Sequence, residues 1–122
     1  MLNKTFITTA LFFIYASTVF NADALADDHD GLSRIEQGRE LAFKRIKGNC
    51  LACHYIEGGE LMGNYGPPLL AMKARYPDRE VLRAQIWDAA VKNPDTRMPP
   101  FGRNHILSEE EIDLVTDFIH TL

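Results

Sequence analysis

The chain has 122 residues, which corresponds to at most one domain on the usual scale of about 100–200 residues per domain. Lys and Arg number 13 and Asp and Glu number 17, so the formal net charge of -4 argues against a nucleic-acid binder that works by neutralising phosphates. Four valines against twelve alanines and thirteen leucines favour helices over sheets, so an all-α fold is expected and an all-β barrel is not.

Residues 1–26 have the composition of a secretory signal peptide. Lys4 is followed by an uncharged, largely apolar stretch over residues 5–22, and Ala24-Leu25-Ala26 fits a cleavage site of small residues. The alternative is an uncleaved membrane anchor, but threonines and serines interrupt a run already shorter than the about 20 apolar residues of a spanning helix. We therefore expect cleavage, export to the periplasm, and a mature domain over residues 27–122 with no membrane anchor.

The mature domain is predicted to begin with a helix. Ser33 and Glu36 have the spacing of a capping box, and the apolar periodicity that follows predicts a helix up to Gly48. Gly38 lies inside this helix, where glycine costs about 1 kcal/mol relative to alanine. We expect Gly38 to permit close approach of another helix.

The middle of the chain alternates irregular and helical segments. Glycines and prolines are dense over residues 57–68 and exclude a helix or a strand there. Residues 69–74 are predicted to form a short helix, and residues 78–92 a longer one that Asn93-Pro94 ends. A rigid, proline-bearing loop over residues 93–102 follows.

A last helix is predicted at the C-terminus. Ser108 and Glu111 form a second capping box. The apolar stripe of this helix consists of Ile112, Val115, Ile119 and Leu122.

Cys50-Leu51-Ala52-Cys53-His54 has the pattern C-x-x-C-H, the attachment signature of c-type haem. Two thioether bonds to the haem vinyl groups require sulfurs about one helical turn apart. The residue directly after the second cysteine then comes under the ring, where its imidazole can bind the iron. We therefore predict one covalently bound haem c, attached through Cys50 and Cys53, with His54 as an axial ligand of the iron.

Two other kinds of site use cysteines at this spacing. A dithiol oxidoreductase motif usually follows a strand in a βαβ unit, and no strand pattern precedes Gly48. A zinc site needs four ligands, and the chain has two cysteines and four scattered histidines. Haem attachment is the favoured prediction.

The second axial ligand decides between electron transfer and reaction with small molecules. The candidates are Met62, Met72, Met98 and His105. Met98 is predicted, because it lies 44 residues beyond His54 and the prolines that follow it would hold its thioether in a stiff loop. Two alternatives are a methionine packed in the core and an open sixth position, as in a haem enzyme or a gas-binding sensor.

Gly66-Pro67-Pro68-Leu69 is predicted to support the ligand histidine. Such a histidine usually donates its other ring N–H to a backbone carbonyl or a carboxylate, which fixes the tautomer and tunes the iron. The carbonyl of Pro67 is the candidate acceptor. The alternative is a turn with no contact to the haem.

Together these segments resemble the class I cytochrome c family, which has a first helix, C-x-x-C-H, a G-P-x-L segment and a methionine in a proline-bearing loop before a C-terminal helix. The resemblance implies a class I cytochrome c fold, a small helical domain wrapped around one haem, with the terminal helices crossing at a glycine. The family's motif positions are matched by Cys50, Cys53, His54 and Met98, and Pro67 would hold His54.

Residues 48–54, 66–69, 82–88 and 98–104 narrow the resemblance to the SoxX family, the monohaem subunits of the thiosulfate-oxidising SoxAX cytochrome. The resemblance implies a SoxA-type haem subunit as partner, in a complex that oxidatively couples thiosulfate to a cysteine of the carrier SoxYZ. This chain would be the non-catalytic subunit that accepts electrons from the SoxA haem and passes them to a downstream cytochrome. Haem attachment would use both cysteines, so no catalytic residue is predicted. The alternative is a free-standing periplasmic class I cytochrome c that shuttles electrons.

Charge is unevenly distributed along the chain. Residues 61–107 carry seven basic and four acidic residues, whereas residues 108–122 carry five acidic residues and no Lys or Arg. This asymmetry is compatible with a docking face at either end and equally with an ordinary solvated surface.

Overall fold

A computed structural model describes residues 32–122, over which four α-helices are joined by irregular segments and no strand occurs. The helices are α1 (Arg34–Phe43), α2 (Met72–Arg75), α3 (Arg79–Trp87) and α4 (Glu109–His120), with 3₁₀ turns at Cys50–Ala52 and Ala89–Val91. The all-α fold class is therefore confirmed. The predicted signal peptide at residues 1–26 lies outside the described residues, and no helix within them is long and apolar enough to cross a membrane.

Helix α1 begins where the sequence predicts and ends earlier. The Ser33 hydroxyl accepts the backbone N–H of Glu36 at 3.3 Å, as an N-cap should. The helix stops at Phe43 rather than Gly48, because Lys44 is extended and the chain folds back until the Gly48 N–H reaches the Leu41 carbonyl at 3.1 Å. That contact joins residues seven apart, so apolar periodicity carries no sign of it.

The terminal helices α1 and α4 pack against each other at Gly38. A Cβ on Gly38 would overlap the carbonyl oxygen of Leu114 and would lie 2.9 Å from the Cβ of Phe118. One turn further along α1, the Phe43 ring meets the edge of the Phe118 ring with centroids 5.9 Å apart. The prediction that Gly38 permits close helix approach is confirmed.

Replacing Gly38 with alanine should destabilise the fold. The overlapping atom belongs to the α4 backbone and cannot rotate away, so we expect a loss of about 1–3 kcal/mol in the free energy of unfolding, despite alanine's better helix propensity. Urea unfolding followed by circular dichroism measures this loss. Glu40→Ala, at an exposed position of the same helix, is the control and should change stability by less than about 0.5 kcal/mol. Equal stability of the two variants would contradict the close crossing.

Helix α4 starts at the predicted capping box and supplies much of the core. The Ser108 hydroxyl accepts the Glu111 N–H at 3.2 Å, and the Glu111 carboxylate accepts the Ser108 N–H at 2.9 Å. Its buried stripe packs against residues from α1, α3 and the connecting loops. The core cluster contains Ala42, Ile56, Met72, Leu82, Ile86, Phe101, Leu107, Ile112, Val115, Phe118 and Ile119.

The two middle helices are shorter or shifted relative to the sequence prediction. Helix α2 covers Met72–Arg75 rather than residues 69–74, because Ala71 before it takes a left-handed conformation with φ 51°. Helix α3 was predicted over residues 78–92; it begins at Arg79, after Asp78 as N-cap, and ends at Trp87. Asp88 is extended there, and its carboxylate caps the following 3₁₀ turn through the Ala90 N–H at 3.0 Å.

Every acidic residue of α4 pairs with a basic residue elsewhere in the domain. Arg83 lies between Asp113 (2.7 Å) and Glu109 (2.6 Å), and Arg79 bonds Asp117 at 2.6 Å and Asp113 at 3.3 Å. The remaining pairs are Arg34 with Glu110 and Asp117, and Lys47 with Glu111. The acidic C-terminal segment is thus matched by cations within the fold, which disfavours its use as a free acidic docking face.

This ion-pair network should make the free energy of unfolding depend on pH in the acidic range. The Arg83 guanidinium, hydrogen-bonded to Asp113, together with Arg79 holds the pKa of that carboxyl below its ordinary value. A carboxyl whose pKa is lower in the folded state stabilises the fold above its unfolded pKa, and this contribution is lost as pH falls through the folded pKa. We therefore expect Asp113→Asn to lower stability at neutral pH and to weaken the decline in the free energy of unfolding below about pH 4.

Urea unfolding at a series of pH values tests the role of Asp113. Asp95→Asn is the control, because Asp95 is an exposed loop residue with no ion pair among the described residues. An acid dependence that Asp113→Asn and Asp95→Asn alter alike would argue against the network.

Candidate haem-binding site

The Cys-x-x-Cys-His segment folds as a single tight turn. Asn49 enters it in a left-handed conformation with φ 48°, which asparagine tolerates better than most residues. The carbonyl of Cys50 then accepts the N–H of Cys53 at 3.2 Å and that of His54 at 2.9 Å. The two thiols therefore stand one turn apart with the imidazole directly after them, which is the arrangement that attachment to two vinyl groups needs.

The two thiols are free and half-buried. Desolvation raises the pKa of Cys50 to about 12. A dithiol oxidoreductase needs the opposite shift, because the thiolate is its nucleophile. Between residue 32 and the motif there is also no strand, so the structure favours haem attachment over dithiol chemistry.

His54 is held by the segment that the sequence singles out. Its Nδ1 lies 2.7 Å from the carbonyl oxygen of Pro67, and since that oxygen only accepts, the imidazole donates from Nδ1. The Nε2 lone pair is left for a metal, and Nε2 has no hydrogen bond within residues 32–122. The predicted contact between Pro67 and His54 is present.

Gly66 fixes how close the Pro67 segment comes to the ring. A Cβ there would lie 2.5 Å from Cε1 and 2.7 Å from Nδ1 of His54, so only glycine fits. The Gly66 N–H bonds the Cys53 carbonyl at 2.7 Å, and the Leu69 N–H bonds the Tyr55 carbonyl at 2.9 Å. The Gly66–Leu69 segment is thereby hydrogen-bonded to the residues immediately before and after His54 in the sequence.

Two of the candidate methionines are engaged elsewhere. The Met62 sulfur accepts the Ile56 N–H at 3.3 Å within its own loop. Met72 is 2% exposed in the core, and its sulfur lies 3.3 Å from Nη1 of Arg75. His105 is exposed on a turn, with φ 52°.

Met98 differs from Met62 and Met72. It is half-buried, its N–H bonds the Thr96 hydroxyl at 3.2 Å, and among the described residues its sulfur makes no hydrogen bond. It stands in an irregular segment, as the sequence predicts. Of the three methionines, it is therefore the one whose thioether is left for another partner.

The Met98 loop is anchored on the end of α3, which the sequence did not reveal. The Gly102 N–H bonds the Trp87 carbonyl at 3.0 Å, and a Cβ on Gly102 would overlap the indole ring. Arg103 pairs with the buried Asp88 at 3.2 Å. Trp87 looks like a core residue in the sequence, and its spacing gives no sign that a loop packs on it.

Arg75 is a second residue that sequence reasoning missed. Its Nη1 donates to the carbonyl of Pro68 at 2.8 Å, one residue from the acceptor of His54. An exposed basic residue at the end of a short helix carries no signal of this contact. Arg75 therefore adds a hydrogen bond to the Gly66–Leu69 segment beside the one that His54 makes.

The residues present fit a covalently attached haem. The thiols of Cys50 and Cys53 and the imidazole of His54 come from one turn. The Pro67 carbonyl sets the tautomer of the imidazole, and Gly66 leaves room for the imidazole ring. The Met98 thioether, which makes no hydrogen bond within residues 32–122, lies on a separate anchored loop. These donors would suit a c-type haem centre with histidine and methionine ligands.

Comparison with known families gives one match over most of the chain. Residues 33–119 match the family model described as cytochrome C oxidase, cbb3-type, subunit III. The matched range runs from the N-cap of α1 to the last turn of α4 and includes the whole candidate site. A search of curated proteins gave no match.

Proposed function

The chain belongs to the family of cytochrome c domains described for subunit III of cbb3-type cytochrome c oxidase, and we propose that it is a monohaem electron-transfer cytochrome. Cys50 and Cys53 would attach the haem, and His54 and Met98 would bind its iron. The observation that carries the proposal is the 2.7 Å contact between His54 Nδ1 and the Pro67 carbonyl, which engages Nδ1 and leaves Nε2 as the ring nitrogen that could bind iron. The single C-x-x-C-H motif supports one haem per chain.

The protein's part in electron transfer is to hold the ligands still. Haem c bound at this motif supplies one-electron transfer through its iron. The Pro67 carbonyl accepts a hydrogen bond from Nδ1–H of His54 and so fixes its tautomer, and Gly66 leaves the room that the ring needs in this position. Met98 offers a neutral sulfur, and histidine with methionine ligation favours a relatively high reduction potential. The chain is therefore suited to accept electrons rather than to transform a substrate.

We further propose that the chain is the SoxX-type subunit of a SoxAX complex. Two of the segments that resemble SoxX, residues 82–88 and 98–104, contact each other through Trp87 with Gly102 and Asp88 with Arg103. They support the proposal because they form one structural unit that includes Met98. Substrate chemistry would lie on the SoxA-type partner, since haem attachment uses both thiols of this chain.

Electron counting is consistent with this division of work. Joining thiosulfate to a SoxYZ cysteine forms a sulfur–sulfur bond and releases two electrons, and one haem iron carries one at a time. The subunit would accept an electron from the SoxA haem twice per product and pass each to a downstream cytochrome. The proposed site of action is the periplasm, reached through the N-terminal signal peptide.

Native purification of the untagged protein from periplasm tests both levels of the proposal. Haem staining of a denaturing gel and the intact mass of each stained band are the measurements. A band with the mass of residues 27–122 plus one haem, travelling with a larger haem protein, supports the SoxAX assignment. The same band travelling alone favours the free-standing shuttle, and a mass without haem overturns both.

A further inference from the structure

The C-terminal end of the Met98 loop is held by a chain of contacts that begins on α4. The Glu109 carboxylate accepts the Trp87 Nε1–H at 3.0 Å through Oε1 and pairs with Arg83 at 2.6 Å through Oε2. The indole that this carboxylate orients lies against the backbone of Gly102, so closely that glycine alone fits there. Glu109, Trp87 and Gly102 therefore form a continuous line of contact toward the loop.

The line ends four residues from Met98, and the chain between is stiff. Pro99 and Pro100 fill half of the distance from Met98 to Gly102, and each has a fixed φ. Gly102 is itself tied to Trp87 by its N–H at 3.0 Å, and Arg103 is tied to Asp88 at 3.2 Å. If the indole moves, Gly102 moves with it. Because the backbone between Gly102 and Met98 is stiff, we expect most of this shift to be passed on to Met98.

We infer that Trp87, oriented by Glu109, is a positioning residue for Met98 that holds the thioether where the iron can bind it. The inference rests on the proposed His/Met ligation. Among the described residues, no hydrogen bond joins Glu109 or Trp87 to residues 50–54 or to Met98, whereas the indole lies directly against the Gly102 backbone, so we expect them to act through Gly102. Weakening this contact should raise the fraction of molecules in which the sulfur is detached.

Two adjacent carboxylates of α4 provide a matched comparison. Glu109 and Glu110 both lie in the first turn, their side chains are 68% and 66% exposed, and each pairs with one arginine, Arg83 at 2.6 Å and Arg34 at 2.8 Å. Only Glu109 also bonds Trp87. Glu109→Ala and Glu110→Ala therefore lose similar charges and similar helix-dipole interactions, and differ in the link to the loop.

The experiment uses the full haem-loaded chain and measures carbon monoxide binding to the reduced protein and the sulfur-to-iron charge-transfer band of the oxidised protein. We expect Glu109→Ala to speed carbon monoxide binding about two- to tenfold, the effect of losing one net hydrogen bond, and to weaken the band. Trp87→Phe, which keeps a ring but removes the N–H donor, should change both in the same direction. Glu110→Ala should match the unmodified protein in both.

Each outcome decides the inference. If Glu109→Ala and Trp87→Phe match Glu110→Ala in band strength and carbon monoxide rate, Trp87 has a merely structural role and the inference is overturned. If the unmodified protein itself lacks the sulfur-to-iron band, Met98 is not a ligand, and the inference fails with that part of the proposed function. A band that Met98→Ala abolishes and Glu109→Ala leaves intact overturns the inference alone.

Discussion

Replacing Met98 with alanine is expected to remove the sulfur-to-iron charge-transfer band and to open the reduced protein to rapid carbon monoxide binding. The reduction potential should fall by on the order of 0.1 V, a fraction of the about 0.8 V that axial ligands span, because a neutral thioether favours the reduced iron. Absorption spectra of the oxidised protein, stopped-flow mixing with carbon monoxide and a redox titration measure the three effects.

Met62→Leu and Met72→Leu are the controls for Met98→Ala. Both sulfurs have partners in the protein, the Ile56 N–H and the Arg75 guanidinium, so replacing them should leave the band in place. If the band survives in Met98→Ala and disappears in Met62→Leu, the ligand is Met62 and the loop containing Met98 has another role. Rapid carbon monoxide binding by the unmodified protein would instead revive the interpretation as a haem enzyme or gas sensor with an open sixth position.

Features that depend on a few neighbouring residues were predictable from the sequence. The starts of α1, α3 and α4 follow from Ser33, Asp78 and Ser108, because an N-cap is a contact between residues two or three apart. The glycine and proline density of residues 57–68 likewise identifies an irregular loop.

Features that depend on contacts between residues distant in sequence could not be predicted from the sequence. Helix α1 ends early because Gly48 folds back on Leu41, and α3 ends at Trp87 because Asp88 turns away to cap the next turn and to meet Arg103. In both places the residues themselves are acceptable in a helix. Tertiary contacts overrode the local preference, which a single sequence does not show.

The candidate site divides in the same way. The Cys-x-x-Cys-His turn could be recognised because five consecutive residues form it. The contact of His54 with Pro67 was predicted because a ligand histidine usually needs a hydrogen-bond acceptor. The contacts of Trp87 with Gly102 and of Arg75 with the Pro68 carbonyl could not be predicted, since each joins a side chain to the backbone of another segment.

Surface charge shows how far composition alone can mislead about partners. The five acidic residues after residue 107 are compatible with an acidic docking end as well as with an ordinary solvated surface, yet each one has a basic partner on another segment of the same domain. Net charge by segment ignores which side chains the fold brings together. A partner search is better directed at the side of the molecule that carries the attachment turn, where exposed apolar side chains such as Leu61 and Tyr65 lie on the following loop.

Of the substitutions around His54, Gly66→Ala should have the largest effect. The added Cβ would lie 2.5 Å from Cε1 of His54, and the Gly66 N–H is already bonded to the Cys53 carbonyl at 2.7 Å, so neither the backbone nor the ring can move without losing a contact. We expect the hydrogen bond to Pro67 to break and the hold of His54 on the iron to weaken about ten- to hundredfold, the usual cost of removing such a partner. Haem content per polypeptide and the denaturant concentration at which His54 detaches measure this.

Gly58→Ala separates loss of the His54 geometry from general damage to the loop. Gly58 lies in the same loop with φ 76°, so alanine is strained there, but its nearest neighbour in space is the end of the Arg39 side chain at 3.7 Å. We expect Gly58→Ala to lower overall stability modestly while haem content and His54 ligation stay unchanged. If Gly66→Ala also kept its haem, its spectrum and its potential, the glycine would serve the turn alone, and the support of His54 by the Pro67 carbonyl would be dispensable.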